Sequence, residues 1–224
     1  MSSDAAHEPG FLPLHRSEAL TDGIFAVAMT LLVIELKLPD HGSVHSTDEL
    51  ANALAALVPK AISWALSFFV LALFWIGHHR VFAWVRRTDS QLVTLNLLQL
   101  AAVSLMPFSS ALSGEWGGSM LSQVVFSTNM ALLGVVAMLI LRYVHTHPAL
   151  GPMRMPEGHY LGARLRIGSV IAISVLAGVL APLLPYPAMG NMAFMLMAVT
   201  SPISRRIERR GGAAPRAVGV EQAP

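Results

Sequence analysis

The sequence predicts an all-α integral membrane protein with six transmembrane helices per subunit and both termini in the cytoplasm. Three observations predict it. Of the 224 residues, 54% are hydrophobic and only 12% are charged, with a mean hydropathy of +0.58, so polar side chains are too few to cover a soluble globule of this size. Six apolar stretches recur along the chain, most of them close to the ~20 residues that cross ~30 Å of hydrocarbon. Between them, arginine clusters alternate with acidic connections, which is the pattern that fixes the side of each connection.

The first stretch runs over about residues 18–38 and opens on charged Arg16 and Glu18. The second, about 56–76, has Pro59 in its first turn, where a missing N–H is tolerated, whereas Pro107 lies inside the third, about 92–113, and should kink it. The fourth spans about 119–143. The fifth and sixth, about 166–184 and 187–203, are punctuated by Pro182, Pro185 and Pro187 and read as a tight hairpin, the sixth being the shortest. Residues 1–14 and the basic segment 207–224 have the composition of disordered tails, leaving 15–206 as one six-helix transmembrane domain.

Charge placement tests the count independently. Arg80, Arg86 and Arg87 follow the second stretch, Arg142, Arg154, Arg164 and Arg166 flank the connection after the fourth, and Arg205, Arg206, Arg209 and Arg210 follow the sixth. The other connections hold Asp40, Asp48, Glu49 and Glu115 against Lys37 and Lys60. The positive-inside rule therefore places both ends of the chain in the cytoplasm and requires an even number of crossings. The preference for Arg over Lys and the compact loops point to a bacterial plasma membrane. No positive n-region or cleavage site precedes the first stretch, so it is expected to remain as a helix of the mature protein.

The same features exclude several functions. The pI near 9.4 comes from short basic clusters without an aromatic-rich basic face, so no nucleic-acid partner is expected. The absence of cysteine removes disulfides, thiolate metal sites and a cysteine nucleophile. Neighbouring His78 and His79 diverge by about 100° on a helix and cannot easily share an ion, so no metal and no cofactor are expected. Ser104, Ser169 and Ser174 read as interhelical hydrogen-bonding residues, Asn96 and Gln99 likewise, and no catalytic cluster shares a depth, so an enzyme is not expected.

The first helix carries the chemistry. At 100° per residue, Gly23, Val27, Thr30 and Ile34 fall within roughly 60° of arc with Leu31 at the edge, while Phe25, Met29, Leu32 and Leu36 lie opposite. A slim face of this kind most often marks close helix packing. The sharper reading is a pore face: around a symmetry axis, Val27, Leu31 and Ile34 would stack as apolar rings that gate by dewetting, and Thr30 would add a ring of hydroxyls. Asp22 lies about 80–120° off that face and needs a partner from a neighbouring helix, for which Trp75, His78 and His79 sit at the matching depth. A proton-coupled transporter using Asp22 and a histidine as its relay is the alternative, although no internal repeat accompanies it.

Arg16, Leu20, Thr21 and Asp22, followed by Gly23-Ile-Phe-Ala and Thr30-Leu-Leu, resemble the opening of the first helix in the prokaryotic branch of the transmembrane protein 175 family of potassium channels. Leu20 and Thr21 stand where that family usually has Phe and Ser. Trp75-x-x-His78-His79-Arg80 and Asn96-Leu-Leu with Met106-Pro-Phe extend the resemblance over about residues 16–113. The resemblance implies a homotetramer of single six-helix subunits in a lipid bilayer, with the first helix of each lining a central pore for potassium ions. It implies a constriction at Val27, Leu31 and Ile34, a selectivity-tuning hydroxyl at Thr30, and a structural or gating network of Arg16, Thr21, Asp22, Trp75, His78, His79 and Asn96. The filter string Thr-Val-Gly-Tyr-Gly is absent, so a carbonyl cage is not expected.

Overall fold

The computed structural model describes residues 11–12, 14–37, 45–196 and 206. The expected tails, 1–14 and 207–224, lie outside the described residues except for Phe11, Leu12 and Leu14. Phe11–Leu12 (β1) pairs antiparallel with Thr88–Asp89 (β2), tying the start of the chain to the connection between the second and third spans. Nothing in a two-residue ladder has enough periodicity to announce itself in a sequence. All other described secondary structure is helical: α1 (Leu14–Leu31), α2 (Thr47–Ala56), α3 (Val58–Phe82), α4 (Ser90–Ser104), α5 (Met106–Glu115), α6 (Met120–Thr146) and α7 (Glu157–Leu180).

Among the described residues, five helical segments are long and apolar enough to cross a membrane: Leu14–Glu35, Val58–Phe82, Ser90–Glu115, Met120–Thr146 and Glu157–Leu183. The sixth stretch differs from its expected form. Pro187–Leu196 winds as a 3-10 helix, and residues 197–203 lie outside the described residues. The 3-10 segment is anchored in the subunit, with Phe194 only 3% exposed and set edge-on to Phe126.

Helix ends follow local chemistry more closely than hydropathy. α3 runs on past residue 76 to Phe82 because His79 and Arg80 fall in its last turn, where cations complement the helix dipole. α7 starts at Glu157, well before the apolar stretch, with Pro156 extended at its N-cap and its carbonyl accepting from the Tyr160 amide at 3.1 Å, and Arg164 and Arg166 can hold charged ends away from its apolar stem. Pro107 divides the third span into α4 and α5 at Leu105, since it has no N–H to donate to the Val103 carbonyl. Asp89 caps α4 by accepting from the Leu92 amide at 2.8 Å, and its second oxygen accepts from the Tyr143 hydroxyl at 2.6 Å.

α6 is the hub of the subunit, with 56% of its apolar window buried, against 22% for the first span. Small residues let α7 lie close to it. A Cβ on Gly134 would stand 2.6 Å from Ile171 Cγ1, so Gly134→Ala is expected to push α6 and α7 apart and cost about 1–3 kcal/mol. A lowered midpoint of thermal unfolding in detergent would register it. The helices alternate in direction, so Arg80, Arg86 and Arg87 share one end with the start of α1, as the β1–β2 pairing and the Arg86 amide bond to the Leu150 carbonyl at 2.7 Å require. The Lys60–Glu115 ion pair at 3.9 Å marks the other end.

Candidate functional site

The two sides of α1 have different fates within the subunit. Thr21, Phe25, Ala28 and Leu32 are at most 2% exposed and pack against α3, α4 and α5. Val27 and Ile34 are each 56% exposed and Leu31 is 42% exposed, with Gly23 and Thr30 also uncovered. Nothing lies within 4 Å of where a Gly23 Cβ would sit. The Thr30 hydroxyl donates to the Val27 carbonyl at 2.8 Å, which satisfies its proton locally and leaves its lone pairs turned outward. At Leu32–Glu35 the helix tightens to 3-10 geometry. Residues three apart eclipse there, which brings Ile34 toward the line of Leu31.

Two polar clusters hang from the other flank of α1. In the buried cluster, Asn96 of α4 donates from Nδ2 to Thr21 Oγ1 at 2.9 Å and to Ser17 Oγ at 3.1 Å. Its Oδ1 lies 2.9 Å from His78 Nε2, so with the amide in this orientation the histidine proton sits on Nε2. Thr21 passes its own proton to the Ser17 carbonyl at 2.9 Å. His78 is stacked on Phe82 with ring centroids 4.0 Å apart. In the outer cluster, Trp75 Nε1 donates to Asp22 Oδ1 at 2.9 Å, and His79 Nε2 lies 3.6 Å from the same oxygen. The Asp22 and His79 side chains are 50% and 44% exposed, so this carboxylate is only half removed from its surroundings.

The structure thus brings Thr21, Asp22, Trp75, His78, His79 and Asn96 to one end of α1, divided between the two clusters, while Arg16 is exposed on the same helix. Ser17 was not singled out from the sequence, although its position one turn before Thr21 was a usable signal. Three serines behave otherwise than expected: Ser104, Ser169 and Ser174 each donate to a carbonyl of their own helix, at 2.9, 2.7 and 2.8 Å. A hydroxyl on a helix always has the preceding turn's carbonyl within reach, and here no nearer acceptor on a neighbour competes. Interhelical serine contacts are made instead by others, such as Ser67 Oγ to Ser110 Oγ at 2.8 Å and Asn129 Nδ2 to Ser109 Oγ at 3.1 Å. Among the described residues, no group of three or more His, Asp or Glu side chains is placed to hold a metal ion.

Known proteins are similar to this chain in sequence and fold. A potassium channel of Chamaesiphon minutus is 41% identical over 101 residues, 45% of this chain and 49% of that protein. One of Streptomyces collinus is 39% identical over 101 residues, 45% and 48% of the two chains. The chain spans about half the length of these curated relatives. The crystal structure of a lysosomal potassium-selective channel TMEM175 homolog from Chamaesiphon minutus matches with a TM-score of 0.71 at 26% identity, over 85% of this chain and 97% of that one. With its apolar spans, the chain is a multi-pass membrane protein. The family model described as endosomal/lysosomal potassium channel TMEM175 matches residues 16–107, the segment that holds both faces of α1 and both polar clusters, and over that segment the chain resembles the transmembrane protein 175 family.

Proposed function

We propose that this chain forms a potassium-permeable cation channel, a homotetramer with six crossings per subunit and cytoplasmic termini in a bacterial plasma membrane. In it the exposed stripe of α1 lines a central pore. The observation that carries the reading is the division of α1, whose Val27, Leu31 and Ile34 are left uncovered by their own subunit while Phe25, Ala28 and Leu32 are enclosed. Four copies of that stripe around an axis make stacked apolar rings at Val27, Leu31 and Ile34, which pass ions when they widen and wet. Thr30 contributes outward lone pairs between them and tunes selectivity. Arg16, Thr21, Asp22, Trp75, His78, His79 and Asn96 set the angle of α1 and so the width of the rings. Ions move passively down their electrochemical gradient, and no cofactor takes part.

Purified protein in liposomes is expected to carry potassium faster than sodium without a proton gradient, and its mass in the same detergent is expected to be that of four subunits. Absence of flux, or a monomer that conducts, would refute the assignment. The approach of His79 to Asp22, 3.6 Å apart and both partly exposed, favours one second reading, a proton-coupled transporter. The two separate on Asp22→Asn. A channel keeps gradient-independent potassium flux in that variant, because Trp75 still finds an acceptor in the amide oxygen, whereas a transporter loses saturable, pH-driven uptake altogether.

A further inference from the structure

Two adjoining hollows on the flank of the subunit have no part in the proposed pore. The first is a narrow, mostly apolar slot among α3, α4, α6 and α7, bordered by Phe74, Gly77, His78, Gln99, Ile140 and Arg166. The second, of about 350 Å³, lies at the arginine-bearing end and is bordered by Arg80, Trp84, His159 and Arg166. Val81 and Arg166 line both, so the slot opens into the basin, and no residue of α1 lines either.

Three features give the pair a common chemistry. No acidic residue lines either hollow, while Arg80 and Arg166 both border the basin. Arg166 also interacts within the subunit and lines the basin. His159 keeps a buried Nδ1 without a protein partner beside the basin, whereas the His78 Nδ1 beside the slot is an acceptor, its ring proton being on Nε2. Finally, a Cβ at Gly77 would meet nothing within 4 Å. Glycine inside a helix is unfavourable by about 1 kcal/mol relative to alanine, and no neighbouring atom demands it here. What a side chain at 77 would take up is the space of the slot itself.

We propose that the slot and basin hold one anionic phospholipid of the surrounding bilayer, its phosphodiester between Arg80 and Arg166 and an acyl chain along Gly77. A free anion would leave the apolar slot unfilled, and a zwitterionic lipid would bring a third cation to a basin that already has two. Basic hollows between transmembrane helices at the positive end are where anionic head groups bind.

The test is thermal unfolding of the full-length protein, delipidated in detergent and then given phosphatidylglycerol, phosphatidylcholine or inorganic phosphate. Phosphatidylglycerol is expected to raise the unfolding midpoint by several degrees and to stay bound in native mass spectra, with little effect from the other two. Arg80→Gln and Gly77→Leu should each remove most of that shift, one by charge and one by filling, while Arg142→Gln, an exposed arginine at the same end that lines neither hollow, should keep it. Should Gly77→Leu fail to fold, Arg80→Gln, exposed near the end of α3, carries the test alone. An equal shift with phosphatidylcholine or inorganic phosphate, an undiminished shift in Arg80→Gln, or an equal loss in Arg142→Gln would overturn the proposal.

Discussion

Replacing Leu31 by Asn is expected to raise potassium flux into liposomes by about tenfold or more, and Val27→Asn to do the same. A tenfold change requires only about 1.4 kcal/mol off the barrier, whereas leaving one leucine side chain wetted costs ~1.5–3 kcal/mol. A ring of four such side chains therefore exceeds what the effect needs. Amide side chains would hold water in the narrows and spare the passing ion part of its dehydration. Val33 supplies the control. It is 49% exposed in the 3-10 turn that continues α1 but lies about a third of a turn from the Val27–Ile34 stripe, so Val33→Asn should leave flux unchanged if the stripe faces a pore. Equal flux in Val27→Asn, Leu31→Asn and the unsubstituted protein would mean that this side of α1 meets lipid.

The division of α1 was legible because one physical regularity governs it. Period 3.6 separates Phe25 and Leu32 from Val27 and Ile34 whatever surrounds the helix, and the observed burial follows that separation. His78 and His79 likewise reach different partners, Asn96 and Asp22, as adjacent residues on a helix must. Features set by tertiary contacts were not legible. The β1–β2 clasp depends on two residues meeting a connection more than seventy positions away. The tightening at Leu32–Glu35 and the 3-10 course of Pro187–Leu196 change the angle per residue without changing hydrophobicity. Hydropathy misplaced the ends of α3 and α7 because it counts histidine and arginine as water-seeking wherever they sit, while a helix end accommodates them.

Asn96→Leu is expected to be the most destabilising single change among the polar residues around α1, by roughly 2–4 kcal/mol. Asn96 is 1% exposed and joins α1 to α3 through a single side chain. Hydrogen bonds between membrane helices average only about 0.6 kcal/mol each, so losing the contacts to Thr21 and Ser17 contributes a minority of the effect. Thr21 also retains the Ser17 carbonyl as acceptor. The larger cost falls on His78, whose Nδ1 already has no partner in the protein. Without Asn96 its Nε2–H is orphaned too, and a buried unsatisfied donor costs about 1–3 kcal/mol. Adding His78→Phe should therefore recover part of the loss, because a phenyl ring can keep the stack on Phe82 and leaves no donor to satisfy. Thermal unfolding of the two single variants and the double variant decides it. A neutral Asn96→Leu, or a double variant less stable than Asn96→Leu alone, would show that the Asn96–His78 bond does not hold α1 in place.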